Sequence, residues 1–116
     1  MKKPNQPSIR LIMKDGRSVT VYRPESPADV EQQSDIPAYV LAVLAFAPCS
    51  GGALRWSKFT LDVFKQLQRQ FGDTMLRECL RDLLADISDG FRATNPYGLL
   101  VSRVRKYANG GDVIEL

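Results

Sequence analysis

Ten consecutive uncharged and almost wholly apolar residues, AYVLAVLAFA at positions 38–47, lie between Pro37 and Pro48. A segment that is apolar on every side has no face to give to water, so the rest of the chain must wrap around it. It falls well short of the ~20 residues needed to cross a bilayer. Pro37 suits the first turn of a helix, and Pro48 ends the segment. The reading is a buried central helix, with a buried strand as the alternative, because periodicity does not separate the two in so short a run. With 116 residues, 44% of them hydrophobic and 25% charged, the chain is expected to form a single domain over residues 1–116 around one core, without metals or disulfides.

The flanking segments say what does the wrapping. Residues 9–23, IRLIMKDGRSVTVYR, place two strand-like runs on either side of Asp15-Gly16. That dipeptide suits a two-residue turn of a β-hairpin. In that register Lys14 faces Arg17, Ile12 faces Val19 and Arg10 faces Val21. Residues 24–37 carry three prolines and four acids and read as an acidic linker, with one helical turn around Asp29–Gln33. Residues 38–108 are expected to form a helical core. Thr60 is placed to cap a helix whose buried positions are Leu61, Phe64, Leu67 and Phe71, with Gly72 ending it. Asp73 is placed to cap the next, with Leu76, Leu80, Leu83, Leu84 and Ile87 inward and Ser88-Asp89-Gly90 as its end. Asn95-Pro96 opens a last helix with Tyr97, Leu100, Val101, Val104 and Tyr107 on one stripe. Within the tail 109–116, Val113–Leu116 either forms a short edge strand or frays. The fold class is therefore α+β and mainly α: an N-terminal β-hairpin, then about four helices in a small bundle.

Whole classes of chemistry are absent from the chain. There is no histidine, which removes Ser-His and Cys-His nucleophile pairs, histidine metal sites and histidine proton shuttles. Cys49 and Cys79 stand 30 positions apart, outside any metal-ligand spacing, and read as one turn cysteine and one core cysteine. Neither GxxxxGK[ST] nor GxGxxG occurs. No catalytic residue, metal or cofactor is assigned, and the expectation is a binding protein, not an enzyme. Lys2 and Lys3 lead into Pro4, Asn5 and Gln6 and not into an apolar stretch, so no signal peptide is read and a cytoplasmic protein without a membrane partner is expected.

The charge pattern suggests what is bound. The net charge is only +3, but it is segregated: +5 over residues 1–23, −4 over 24–54, +3 over 55–72, −3 over 73–90 and +4 over 91–111. Lys14 and Arg17 sit at the hairpin tip. Lys58, Lys65 and Arg69 are seven and four residues apart and share one helix face. Arg92 precedes the last helix, whose off-stripe positions include Arg103, Arg105 and Lys106. These nine are the candidate contacts to nucleic-acid phosphates. The competing explanations are solvated helix faces and, for the last helix, basic residues offsetting the negative end of its dipole. Trp56, the sole tryptophan, either anchors a helix start in the core or stacks on a base, and Phe91 is expected to anchor in the core.

From Trp56 to Ala108 the order of signals resembles the helical C-terminal segment of DnaD-like primosomal proteins and of some plasmid and phage replication initiators. It runs through Ser57, Asp62, Leu67, Phe71-Gly72, Leu76, Leu80 and Asn95-Pro96-Tyr97-Gly98-Leu99-Leu100 to a basic helix. Of the family's tyrosine, isoleucine and tryptophan at four-residue steps, Tyr97 and Val101 match the first two and Arg105 holds the third place. The resemblance covers under half of the chain. It implies a bacterial or mobile-element accessory of DNA replication that oligomerises and meets replication proteins. The reading from another class is a protein–protein adaptor that uses the hairpin edge or an apolar groove, with no nucleic-acid contact.

Overall fold

The computed structural model describes residues 7–108. Their order is β1 (Ser8–Ile12), β2 (Ser18–Tyr22), α1 (Pro27–Gln32), α2 (Ala38–Ala45), β3 (Cys49–Ser50), β4 (Ala53–Leu54), α3 (Lys58–Phe71), α4 (Asp73–Ser88) and α5 (Pro96–Ala108). The fold is α+β and mainly α. The strand expected near the C-terminus lies outside the described residues.

The 38–47 run is a helix over Ala38–Ala45, and every residue of it except Tyr39 is buried. A helix in that position cannot leave its terminal peptide groups to water. Pro37 offers no capping side chain, so the caps come from other elements. The Ala38 N–H donates to Asp73 Oδ1 at 2.7 Å and the Tyr39 N–H to Gln68 Oε1 at 2.8 Å. At the other end Val43 O accepts from the Tyr97 hydroxyl at 2.6 Å, and Ala45 O accepts from Arg23 Nε at 3.0 Å. The hairpin, α3, α4 and α5 thus each contribute a side chain to α2. Burial raises the Tyr97 pKa, which keeps its hydroxyl a donor.

The hairpin forms in a different register from the expected one. Ile9 faces Val21, Arg10 faces Thr20, Leu11 faces Val19 and Ile12 faces Ser18. Gly16 N donates to Met13 O and Met13 N to Arg17 O, which closes a three-residue loop. A two-residue type I′ turn needs positive φ at both central residues, but only Gly16 has it, at 89°. The one-residue change puts Ile9, Leu11, Val19 and Val21 on the inner face together. It also separates Lys14 from Arg17, which pairs with Asp15 instead.

A second correction concerns residues 24–37. They hold α1, capped by the Ser26 side chain, with Val30 fully buried and the helix packed on α4. The helix starts at Pro27, before the turn expected around Asp29, because Ser26-Pro27 is itself a strong start signal. The end of α1 and the loop after it are held by Arg77, which is 14% exposed, pairs with Asp73 at 3.3 Å and donates to Val30 O, Gln33 O and Ile36 O.

Three helix starts separate into two corrections and one agreement. Ser57, not Thr60, caps α3: its hydroxyl accepts from the Thr60 N–H at 3.1 Å. Gly72 is the N-cap of α4, and Asp73 serves α2 instead of its own helix. Asn95 does cap α5, accepting from the Gly98 N–H at 3.1 Å. β3 and β4 were not anticipated; they complete a mixed sheet ordered β2-β1-β4-β3. Phe91, expected inside, is 44% exposed, and of the two readings of Trp56 its 43% exposure disfavours the core anchor. Tyr107, at the end of the α5 stripe, is also exposed because the stripe outruns its partner helices.

Candidate functional site: an apolar groove beside the basic residues

β1 lies against α2 through Ile9 and Leu11, and a groove opens along that contact. A pocket of about 90 Å³ is lined by Ile9 and Leu11 of β1, by Tyr39, Val40, Val43 and Leu44 of α2, by Trp56 and by Leu61 of α3. A second, of about 350 Å³, continues under the hairpin tip, where Ile12, Met13 and Lys14 face Pro37. Leu11 and Tyr39 are common to both. Ile12, in the lining of the second pocket, is 64% exposed, and Phe59, in the first turn of α3 and in the lining of neither, is 77% exposed.

Local sequence explains why these side chains remain outside. Ser57 caps α3 early, so Phe59 falls in the first turn, on the side of the helix away from Leu61, Phe64 and Leu67. Ile12 points to the outer face of the hairpin because Leu11 points inward. Trp56 sits in the turn between β4 and α3, where it lines the groove and keeps 43% of its surface exposed. From sequence Trp56 reads either as a core anchor or as a stacking residue, Ile12 reads as a hairpin residue opposite Val19, and Phe59 has no assigned role. Phe59 was detectable as an aromatic residue out of phase with its own helix.

The nine basic candidates do not form one unit. Lys14 and Arg17 line the groove at the tip; Arg17 Nε lies 2.8 Å from Asp15 Oδ2. The Arg17 backbone N–H, and then its guanidinium, hold the Asp15 carboxyl below its usual pKa. Lys58, Lys65 and Arg69 are exposed along α3, with Asp62 interrupting the row. Arg92 is exposed in the loop before α5. Arg103 is tied into the fold: its Nη2 lies 2.7 Å from Asp86 of α4, and its guanidinium sits 5.9 Å from the Phe91 ring centroid. Arg105 and Lys106 occupy the exposed last turn of α5. Lys14, Lys58, Lys65, Arg69, Arg92 and Arg105 make no ion pair among the described residues.

The two thiols differ. Cys79 is buried in α4, and burial, then Asp82 and Glu78, push its pKa up to about 11. Cys49 is exposed on β3, with Arg23 Nη1 3.0 Å from its sulfur. Among the described residues no group of His, Cys, Asp or Glu is placed to hold a metal ion, and no helix is long and apolar enough to cross a membrane. No protein-family model, curated protein or solved structure matches this chain, so the likeness to DnaD-like proteins rests on its residues alone.

Proposed function

We propose that this protein is a non-catalytic docking module that takes up part of another protein in the groove between β1 and Trp56. One observation carries the reading: Trp56 and Ile12 stand exposed in the lining of two adjoining, largely apolar pockets, and Phe59 is exposed three residues beyond Trp56. A monomer gains nothing from leaving two aromatic rings in water, and such patches mark interaction sites. Covering either ring fully is worth roughly 1.5–3 kcal/mol, the scale of a hot-spot residue. Both rings are peripheral to the core, so they can be changed without unfolding the chain.

The test is selection from a displayed library of random twelve-residue peptides. Peptides enriched on the wild-type protein should bind the Trp56→Ser, Phe59→Ser double variant at least ten-fold more weakly, while its unfolding midpoint stays near that of the wild type. Enriched peptides that bind both proteins equally would remove the groove from the proposal.

Contact with DNA, as a replication accessory, is the second reading, and a different observation favours it. Lys58, Lys65, Arg69 and Arg105 carry no ion pair among the described residues, and α3 packs directly on α5. Lys65→Glu with Arg69→Glu should weaken binding to duplex DNA about ten-fold at low salt in a mobility-shift assay, since neutralised phosphates dominate such affinity. These two positions test it better than Arg103, whose loss would also leave Asp86 unpaired. An unchanged shift would dismiss the α3 row as a DNA contact.

A further inference from the structure

The strand that walls the groove is incompletely paired. β1 pairs with β2 along its whole length, but with β4 only at Ser8↔Ala53. Hydrogen bonding alternates along an antiparallel pair. The bonds from Met13 N to Arg17 O and from Arg23 N to Pro7 O set its phase, so Ile9 and Leu11 bond β2. Ser8, Arg10 and Ile12 therefore direct their peptide groups to the other side. Ser8 meets β4 there. Arg10 and Ile12 lie beyond the ladder, because the chain leaves β4 at Leu54 and turns through Arg55 and Trp56 into α3. The other edge of the hairpin is closed at Tyr22, whose N–H and C=O are both bonded by the side-chain amide of Gln33 at 2.9 Å.

The open stretch of β1 and the apolar groove thus adjoin. A strand laid along Arg10–Ile12 would occupy the place that β4 vacates, about 4.8 Å from β1. Alternate side chains would drop between Leu11 and Trp56, and the others would rise on the face that carries Arg10. The charge of the surroundings is mainly positive, with Asp62 of α3 the exposed acid beside Lys58. Arg10, Lys14, Arg55 and Lys58 are exposed and make no ion pair among the described residues. The one acid lining the groove, Asp15, is already held by Arg17.

We infer, resting on the docking reading above, that the groove receives an extended acidic segment of a partner protein, apolar at alternate positions, which adds to β1 as a further strand. Peptide hydrogen bonds to Arg10 and Ile12 supply register, the inward apolar side chains supply burial, and the outward acids meet Arg10 and Lys14. A helical partner would satisfy its own peptide groups and leave those of β1 to water. A second copy of this chain offering its hairpin would bring like charge to like charge.

Trp56, the only tryptophan in the chain, reports directly on the groove. The probe is an acetylated, amidated heptapeptide alternating glutamate with valine and leucine. It should shift Trp56 emission to the blue and saturate. The same peptide with lysine in place of glutamate should bind at least ten-fold more weakly, and N-methylation of the peptide groups on one edge should abolish binding. Arg10→Glu with Lys14→Glu should cost the acidic peptide about ten-fold. Equal binding of both charges overturns the acidic assignment, and indifference to N-methylation on either edge overturns strand addition. Silence from these peptides while library-selected peptides bind overturns the inference and leaves the docking reading standing. Failure of every peptide ends both. A dimer in sedimentation that the acidic peptide dissociates would make the occupant a second copy, against the inference.

Discussion

Where α1 meets α4, every polar side chain that turns inward has a partner. Arg77 reaches three carbonyls and Asp73, Asp73 reaches α2, and Arg81 pairs with Glu31 at 2.7 Å. Where β1 faces Trp56 the reverse holds: the ladder stops after one pair, Arg10 and Lys14 have no ion-pair partner among the described residues, and aromatic rings meet water. Both regions rest on the same buried helix, so the contrast does not come from a weak core on one side. Fully paired polar groups fix a geometry, and they leave nothing for a partner to take up. Unpaired edges and exposed rings cost stability in isolation and become useful only when something covers them. On the proposed docking function, the α1–α4 contact serves folding and the groove serves recognition.

That contrast can be broken or sharpened by substitution. The largest effect is expected in the closed region. Arg77→Met removes a nearly buried guanidinium and strands three carbonyls and Asp73, so it should cost about 3 kcal/mol in chemical denaturation. A loss below 0.5 kcal/mol would mean that water serves those carbonyls equally well. Gln33→Ala comes next, at about 1–2 kcal/mol, and should speed hydrogen exchange at the Tyr22 amide, since the edge bond that protects it is gone. The smallest effect is a titration. The Cys79 pKa is raised in the folded protein, so the fold favours the neutral thiol; stability is intact below about pH 9 and declines as pH rises from there towards about 11. Cys79→Ala should remove the part of that decline that begins near pH 9 and leave the part above about pH 10 that the raised Tyr97 pKa contributes. At pH 8 a thiol reagent should modify Cys49 rapidly and Cys79 only after unfolding; equal rates at the two would place Cys79 outside the closed region.

The groove was harder to read from sequence than the core for a definite reason. Buried stripes repeat with the period of their element, so Leu76, Leu80, Leu83 and Leu84 announce α4 from their spacing. A recognition surface is defined by what fails to be covered, and that depends on where other elements end. Trp56 carries the same hydrophobic signal as a core residue, yet it lies in the turn after β4 stops at Leu54 and is 43% exposed. The hairpin was legible as a hairpin, but its register turned on whether Asp15 or only Gly16 takes positive φ. Asp29–Gln33 was legible as a helical turn, but its burial depends on Arg77, 44 or more residues away for the carbonyls of Val30 and Gln33.

The sequence by itself determined the class of the fold, the central place of the 38–47 run, the limits of the last three helices to within a few residues, and the absence of histidine chemistry. These follow from local rules: apolar periodicity, prolines, glycines and caps act within a few residues of themselves. Only the tertiary structure decided that Asp73, Gln68, Tyr97 and Arg23 cap a helix to which none of them belongs, that Arg103 is engaged by Asp86 while Lys65 and Arg69 are not, and that β1 keeps an open edge above an apolar groove. Each of those depends on which element comes to lie beside which, and pairing between distant segments leaves no period in the chain that makes it.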